Sequence, residues 1–178
     1  LPPYLDPMTM ALDRLWDSGI TVVVASGNGG ANVLSSPATD PTLLVVGAQD
    51  EKDTSARADD VVADFSSYGT AFKIARPDIV APGVSLISTS PPGSIAYTQN
   101  PTSQVGSGFL KGTGTSMSAA VAAGAVAVLL AERPGLTPVE AKGLLVGTAY
   151  RNANLTSDEG AGAGGLDLEK ALTTSTGS

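Results

Sequence analysis

Two amino acids are missing from this sequence, and each absence excludes a class of chemistry. None of the 178 residues is a cysteine, so disulfide bonds, thiol nucleophiles and thiolate metal sites are excluded. None is a histidine, which removes imidazole metal ligands and the side chain that most often serves as a general base. Any reaction that depends on a histidine must therefore obtain it from another polypeptide.

Positive charge is also scarce. The chain has 10 lysine and arginine residues against 17 aspartate and glutamate residues, and it contains no basic cluster. Nucleic acid is therefore not expected as a partner. The longest apolar run, at 117–131, is too short and too rich in alanine to span a bilayer, so no membrane association is expected either. The length suits one globular domain.

The hydrophobic pattern predicts an α/β protein. Residues 8–17 place apolar side chains at helical spacing, and an unbroken β-branched run follows at 20–25. Such a run is typical of a strand that is covered on both faces, as in a parallel sheet. Further strands are predicted at 43–47 and within 77–83, and a capping box at Thr137 predicts the start of another helix.

Two polar stretches interrupt this pattern. Residues 49–64 are rich in aspartate and are expected to form a solvated surface loop. A carboxylate site for calcium is the alternative there, although no regular ligand spacing supports it. Residues 90–112 are rich in proline, serine and glycine and are predicted to form a long loop, and loops of this length often bind a partner or a ligand.

The segment Gly114-Thr115-Ser116-Met117-Ser118-Ala119 opens the long apolar run. Ser116 stands where a glycine-flanked loop turns into a helix. One interpretation is a helix cap, which is a common role for serine, and the other is a nucleophile at the start of the helix. The helix itself is apolar on every side, so it is predicted to be buried all round and closely approached by neighbours at Gly124.

A second polar segment, Ser26-Gly27-Asn28-Gly29-Gly30, directly follows the strand at 20–25. Ligands of open α/β sheets bind beyond the carboxyl ends of the strands. Asn-Gly is a strong turn dipeptide, and on spacing alone a simple turn is favoured. The functional interpretation is that the Asn28 amide directs an N–H into a site where negative charge develops.

Taken in order, these segments resemble the subtilisin-like serine proteases. Residues 114–119 are similar to the nucleophile motif of that family, and residues 24–29 to its oxyanion-hole segment. Further similarities to its structural signatures lie at 36–38, 65–69, 77–83, 134–138 and 165–172. The resemblance covers nearly the whole chain.

The resemblance implies a three-layer α/β fold with a mainly parallel sheet and helices on both faces. Residues 1–178 would form the C-terminal part of a single catalytic domain, and the N-terminal part would be absent from this chain. Ser116 would be the nucleophile, and Asn28 together with the Ser116 backbone N–H would stabilise the oxyanion. Ala25, Ser26 and Gly27 would form a wall of the substrate pocket, and the Ser36–Pro37 peptide is expected to be cis.

The catalytic aspartate and histidine of that family lie upstream of every segment matched here. The implied function is therefore that of a serine endopeptidase that acts through a Ser116 acyl-enzyme, with the Asp and His supplied by a second polypeptide. The alternative is a catalytically inactive structural or binding fragment. An esterase of the α/β-hydrolase type is disfavoured, because no Gly-x-Ser-x-Gly elbow with a downstream histidine is present.

Family analogy adds three further expectations. The substrate would be a protein or peptide, and the protein would act outside the cell. No cofactor would be required and no metal-binding residues are assigned, although calcium is compatible with the family.

Overall fold

The computed structural model describes Pro2 and residues 5–175. The helices are α1 (Pro7–Asp17), α2 (Ile95–Gln99), α3 (Thr115–Glu132), α4 (Pro138–Thr148), α5 (Ala153–Ser157) and α6 (Leu168–Thr173). The strands are β1 (Val23–Ala25), β2 (Leu44–Asp50), β3 (Val61–Val62), β4 (Gly69–Ala71), β5 (Ile74–Arg76), β6 (Ile79–Pro82), β7 (Leu86–Thr89) and β8 (Phe109–Gly112).

The main sheet is built around β2. This strand pairs in parallel with β1 and with β6, and it pairs antiparallel with β3. The pairing sets Val24 beside Val45 and Gly47 beside Val80. Two of the three pairings are parallel, so the sheet is mainly parallel, as predicted.

Successive residues of the central strands face opposite layers, because side chains alternate along a strand. On one face, Leu44 and Ile79 pack against α3 and α4. On the other face, Val80 packs against Leu155 of α5, while α1 adds Trp16 to a second cluster. Helices therefore cover both faces, and the three-layer architecture is confirmed.

The N-terminal elements are less buried than the sequence predicted. In α1, Trp16 is buried, but Met8 and Leu15 are 55% and 43% exposed. The strand predicted at 20–25 is shorter, since β1 contains only Val23–Ala25 and is half-buried, and Ile20 is exposed. The reason is that β1 pairs on one edge only among the residues that the structure describes.

The prediction of a solvated loop at 49–64 is wrong in part. Gln49 is in β2, residues 61–62 form β3, and both Gln49 and Asp60 are buried. Asp60 Oδ2 accepts hydrogen bonds from the Tyr150 hydroxyl and from Gln49 Nε2, the latter at 3.2 Å. Burial and the bond to Asp60 raise the pKa of Tyr150. A carboxylate can be buried here because it is hydrogen-bonded.

The long loop predicted at 90–112 contains regular structure. It holds α2, a short 3₁₀ turn at Pro101–Ser103, and β8. β7 and β8 form an antiparallel hairpin that runs from the Leu86–Gly112 pair to the Thr89–Phe109 pair. Consequently β8 leads almost directly into the N-terminus of α3.

Helix α3 is not buried all round as predicted. Its buried side includes Ala122 and Leu129, whereas Val128 is 44% exposed and Gly124 has no close neighbour. By length and composition alone α3 would be able to cross a membrane. It packs across β1, β2 and β6, however, as the core helix of a globular domain does.

Two sequence predictions of local geometry are confirmed. The Thr137 hydroxyl accepts from the Glu140 N–H, and the Glu140 carboxylate accepts from the Thr137 N–H at 2.8 Å, which completes the capping box. The Ser36–Pro37 peptide is cis. A second cis peptide, Arg76–Pro77, was not predicted.

Candidate active site

The candidate site lies where the loop that follows β1 meets the N-terminus of α3. The N-cap of α3 is Gly114, with φ 152° and ψ 159°, a conformation that favours glycine. The Gly114 N–H donates to the Gly83 carbonyl at 2.8 Å, which anchors the start of the helix to the end of β6. Ser116 is the second residue of the helix and is exposed. The cap interpretation of Ser116 is therefore wrong.

Asn28 lies against the first turn of the same helix. Its Oδ1 atom accepts two hydrogen bonds from Thr115, one from the backbone N–H and one from the hydroxyl, both at 2.9 Å. A backbone N–H can only donate, so the atom facing Thr115 must be the oxygen of the amide. Nδ2 therefore faces away from Thr115 and lies 3.6 Å from the position that a β-carbon on Gly114 would take. A β-carbon at 114 would only touch this nitrogen, so it is the φ of 152° that disfavours a larger residue there.

Thr115 is the residue whose role sequence reasoning missed. It is buried, and its hydroxyl donates to Asn28 Oδ1 while accepting from the Gly27 N–H at 3.3 Å. One side chain thus fixes the helix N-terminus, the Asn28 amide and the loop after β1. The only signal in the sequence was the hydroxyl residue between Gly114 and Ser116, and nothing local pointed to its partner.

One backbone N–H group in the first turn of α3 has no acceptor among the described residues. The Thr115 N–H is taken by Asn28, and the N–H groups of Met117 and Ser118 both reach the Gly114 carbonyl. Among the described residues, the Ser116 N–H has no acceptor. Such an N–H at a helix N-terminus attracts negative charge, because the helix dipole is positive there.

The segment Ala25–Gly27 is held from two sides. Ala25 pairs with Val46 in the sheet, and the Ser26 N–H donates to the Val46 carbonyl at 2.9 Å. The Gly27 carbonyl accepts from the Ser67 N–H at 2.8 Å. Ser26 is buried, and its hydroxyl has no partner among the described residues. The segment that precedes Asn28 is therefore anchored both to β2 and to Ser67.

Acid–base groups are lacking at this site. The chain has no histidine, and among the described residues no carboxylate accepts a hydrogen bond from Ser116. The arrangement offers a hydroxyl and two N–H donors, those of Asn28 Nδ2 and Ser116, without a base to activate the hydroxyl.

The sequence model of the subtilase family matches residues 3–164. The chain belongs to the subtilase family. Serine protease AprX of Bacillus subtilis (strain 168) is 41% identical over 143 residues, which are 79% of this chain and 32% of that relative. Subtilisin DY of Bacillus licheniformis is 33% identical over 168 residues, which are 92% of this chain and 51% of that relative.

Solved protease structures are similar to this chain. Fervidolysin from Fervidobacterium pennivorans, a keratinolytic enzyme related to subtilisin, superimposes with a TM-score of 0.75 at 30% identity. The match covers 96% of this chain and 25% of that one. The patellamide maturation protease PatA gives a TM-score of 0.69 at 27% identity. That match covers 94% of this chain and 56% of the PatA chain. This subtilase chain therefore spans about a third to a half of the two curated relatives named above.

The acidic segment at 49–64 shows no cluster of ligands for calcium. Within the described part of the chain, no three acidic side chains converge. The Asp50 carboxylate instead pairs with Lys52 at 2.7 Å, and that of Asp59 accepts from the Thr54 hydroxyl at 3.0 Å. Asp50 and Asp59 thus bind separate partners within the segment and do not converge on a common centre.

Proposed function

We propose that residues 1–178 are the C-terminal part of a single subtilisin-like catalytic domain that hydrolyses peptide bonds through a Ser116 acyl-enzyme. The observation that carries this proposal is the double hydrogen bond from Thr115 to Asn28 Oδ1. It turns Nδ2 away from the helix and leaves it available as a donor. The exposed Ser116 hydroxyl and the unpaired Ser116 N–H lie on the same helix turn.

In this mechanism Ser116 attacks the carbonyl carbon of the scissile peptide bond. The oxygen that becomes negative is stabilised by Asn28 Nδ2 and by the Ser116 N–H, which are held in place before the reaction begins. The surface formed by Ala25, Ser26 and Gly27 borders the substrate side chain that precedes the scissile bond. Hydrolysis of this kind requires no cofactor, and family analogy is the sole ground for calcium.

The general base must come from elsewhere. We propose that a second polypeptide carrying the Asp and His of the triad associates with this chain. Two features support such a partner: β1 has one unpaired edge among the described residues, and Ile20 beside it is 52% exposed. An unpaired strand edge with apolar neighbours is a surface on which a further strand can pair.

A catalytically inactive fragment with a structural or binding role is the second candidate. The absence of histidine favours it, because a triad without its base keeps only ~10³–10⁴-fold catalysis over water even when the cleft is complete. A protein or peptide would still be the ligand. For either candidate we propose an extracellular location, which the name of one relative, the cell wall-associated protease of Bacillus subtilis, fits.

Native mass spectrometry, followed by fluorophosphonate labelling of the same sample, separates the two candidates. The hydrolase proposal predicts that the native spectrum contains a second chain with the Asp and His. It also predicts that the probe labels the sample and that Ser116→Ala abolishes this labelling. The matched control is Ser118→Ala, two residues along the same helix, whose hydroxyl is buried. A lone, unlabelled chain would reject the hydrolase for this polypeptide.

A second experiment tests Asn28. In the unlabelled complex with the chain that carries the Asp and His, Asn28→Ala is expected to lower kcat by ~10²–10³ with little change in KM. The reason is that the amide donor acts on charge that exists only in the transition state. The expected factor was established on a subtilisin. An unchanged kcat would remove Asn28 from the mechanism.

A further inference from the structure

Asn28 is followed by Gly29, and Asn-Gly is chemically fragile. The backbone nitrogen that follows an asparagine can attack its side-chain carbonyl carbon, and glycine has no side chain to hinder the attack. Asparagine is accordingly among the residues that limit protein lifetime at high temperature. Both residues are exposed here, so water reaches the dipeptide.

The reaction replaces the side-chain amide by a carboxylate. The Gly29 nitrogen forms a bond to Asn28 Cγ, and the NH₂ group leaves as ammonia together with the Gly29 amide proton. Water then opens the resulting succinimide at one of its two carbonyls, giving aspartate or isoaspartate at position 28. One water is consumed and one ammonia released, so no oxidant or reductant is needed.

In the folded chain both reacting groups are hydrogen-bonded to other residues. The Gly29 N–H donates to Ser67 Oγ at 2.8 Å. The side-chain carbonyl of Asn28 is bound by Thr115, which donates two hydrogen bonds of 2.9 Å to Oδ1. Ser67 is itself buried, and its N–H donates to the Gly27 carbonyl. Closing the succinimide ring therefore requires hydrogen bonds on both sides of the dipeptide to open.

We propose that Asn28–Gly29 is a deamidation site, and that the hydrogen bonds from Thr115 and to Ser67 slow deamidation in the native chain. Ser67 acts as a positioning residue, because it touches the reacting backbone nitrogen and no substrate. The consequence for activity rests on the proposed function: an aspartate at 28 has no N–H to donate and adds negative charge beside the developing oxyanion. Deamidation would then limit the working life of the enzyme.

The test measures deamidation of the full chain by mass spectrometry of the peptide that contains position 28, during incubation at mildly alkaline pH. Ser67→Ala is expected to deamidate about fivefold faster than the wild type, the factor that corresponds to one ordinary hydrogen bond. The matched control is Ser66→Ala. Ser66 is equally buried, but its hydroxyl accepts from the Ala48 N–H at 2.9 Å instead.

Equal rates in Ser67→Ala and the wild type would overturn the proposal, as would an equal acceleration in folded Ser66→Ala. If Ser67→Ala does not fold, the deamidation rate of the wild type is compared between the native state and the urea-unfolded state. Its rate in the native state should be lower than in urea by more than about tenfold, since several hydrogen bonds must open. Equal deamidation rates in the native and urea-unfolded states would show that the fold does not protect Asn28. The readout is a mass and not an activity, so its outcome is independent of whether Ser116 is a nucleophile.

Discussion

The Thr115 hydroxyl donates a hydrogen bond to Asn28 Oδ1 at 2.9 Å, across 87 positions of the sequence. The Thr115 backbone N–H donates to the same oxygen, so the orientation of the Asn28 amide is fixed by the helix that carries Ser116. Donor and nucleophile are thereby positioned by a single helix turn.

Thr115→Val should separate the contribution of the hydroxyl from that of the backbone. Valine has a similar shape and keeps the backbone N–H bond, so Asn28 loses one of its two restraints. In the complex with the His-bearing chain, we expect kcat to fall about fivefold to tenfold with KM nearly constant, the effect of one hydrogen bond felt in the transition state. Thr115→Ser retains the hydroxyl and should stay close to the wild type. A fall in kcat for Thr115→Ser as large as that for valine would contradict the argument.

Gly83→Ala should destabilise the chain. A β-carbon at position 83 would overlap Ser118 Oγ and lie 2.8 Å from Ala48 Cβ, at the point where Gly83 accepts from the Gly114 N–H. Overpacking of this kind costs typically about 1–3 kcal/mol. We expect the free energy of unfolding to fall by that amount, which urea titration shows as a lower midpoint. Gly143→Ala in α4 is the matched control, because no heavy atom lies within 4 Å of its added carbon. There the gain in helix propensity should raise stability by about 0.5–1 kcal/mol.

The Asp167–Arg57 ion pair should make stability depend on pH. Burial opposes ionisation of Asp167, but the bonds from Arg57 at 2.6 Å and from the Lys170 N–H hold its pKa below 3.8. The native state therefore binds this proton less readily than the unfolded chain. The stabilisation is complete above pH 3.8 and is lost as pH falls through the folded pKa.

Urea titrations of the wild type and Asp167→Asn across this pH range measure the effect. Asparagine keeps the acceptor that caps α6 but loses the charge. Because Arg57 is half-exposed, we expect the wild type to be more stable by less than about 1 kcal/mol at neutral pH. The two curves should converge in acid. A difference that does not change with pH would exclude the ion pair as its source.

Substitutions in the turn between β4 and β5 should raise the stability of the chain. Phe72 and Lys73 form its two central residues with φ of 50° and 68°, a conformation that suits asparagine and glycine far better. Phe72→Asn combined with Lys73→Gly should raise the free energy of unfolding by about 1–2 kcal/mol. The left-handed conformation costs about 1–2 kcal/mol per ordinary residue, and the greater freedom of glycine in the unfolded chain offsets part of the gain from relieving both. The matched control is the same pair of substitutions at Ile95 and Ala96 in α2, where φ is helical and stability should fall. Stabilisation at neither site would refute the strain argument.

Local patterns predicted local structure well. The capping box of Thr137 and Glu140 was correct because its partners are three residues apart. The buried strand β2 was predicted because every position of a central parallel strand is covered. The order of the family's segments identified the fold, since it combines many short matches that are individually weak.

Burial and polar pairing were predicted less well. Gln49 and Asp60 were assigned to a solvated loop because charge and polarity normally mean exposure, yet the Tyr150 hydroxyl, 90 positions away, allows Asp60 to be buried. The opposite error was made for β1 and much of α3, which were predicted to be buried and are partly exposed. Burial depends on the neighbours that pack against an element. Periodicity records only what an element is able to bury.

The sequence by itself determined the α/β class, the family, the nucleophile candidate Ser116 and the lack of any histidine to act as its base. Only the tertiary structure decided that Gly114 rather than Ser116 caps α3, and that Thr115 orients Asn28. The physical reason is distance along the chain. Helix propensities, turns and caps are encoded within a few residues, whereas the direction of an amide is set by whichever donor the fold brings beside it.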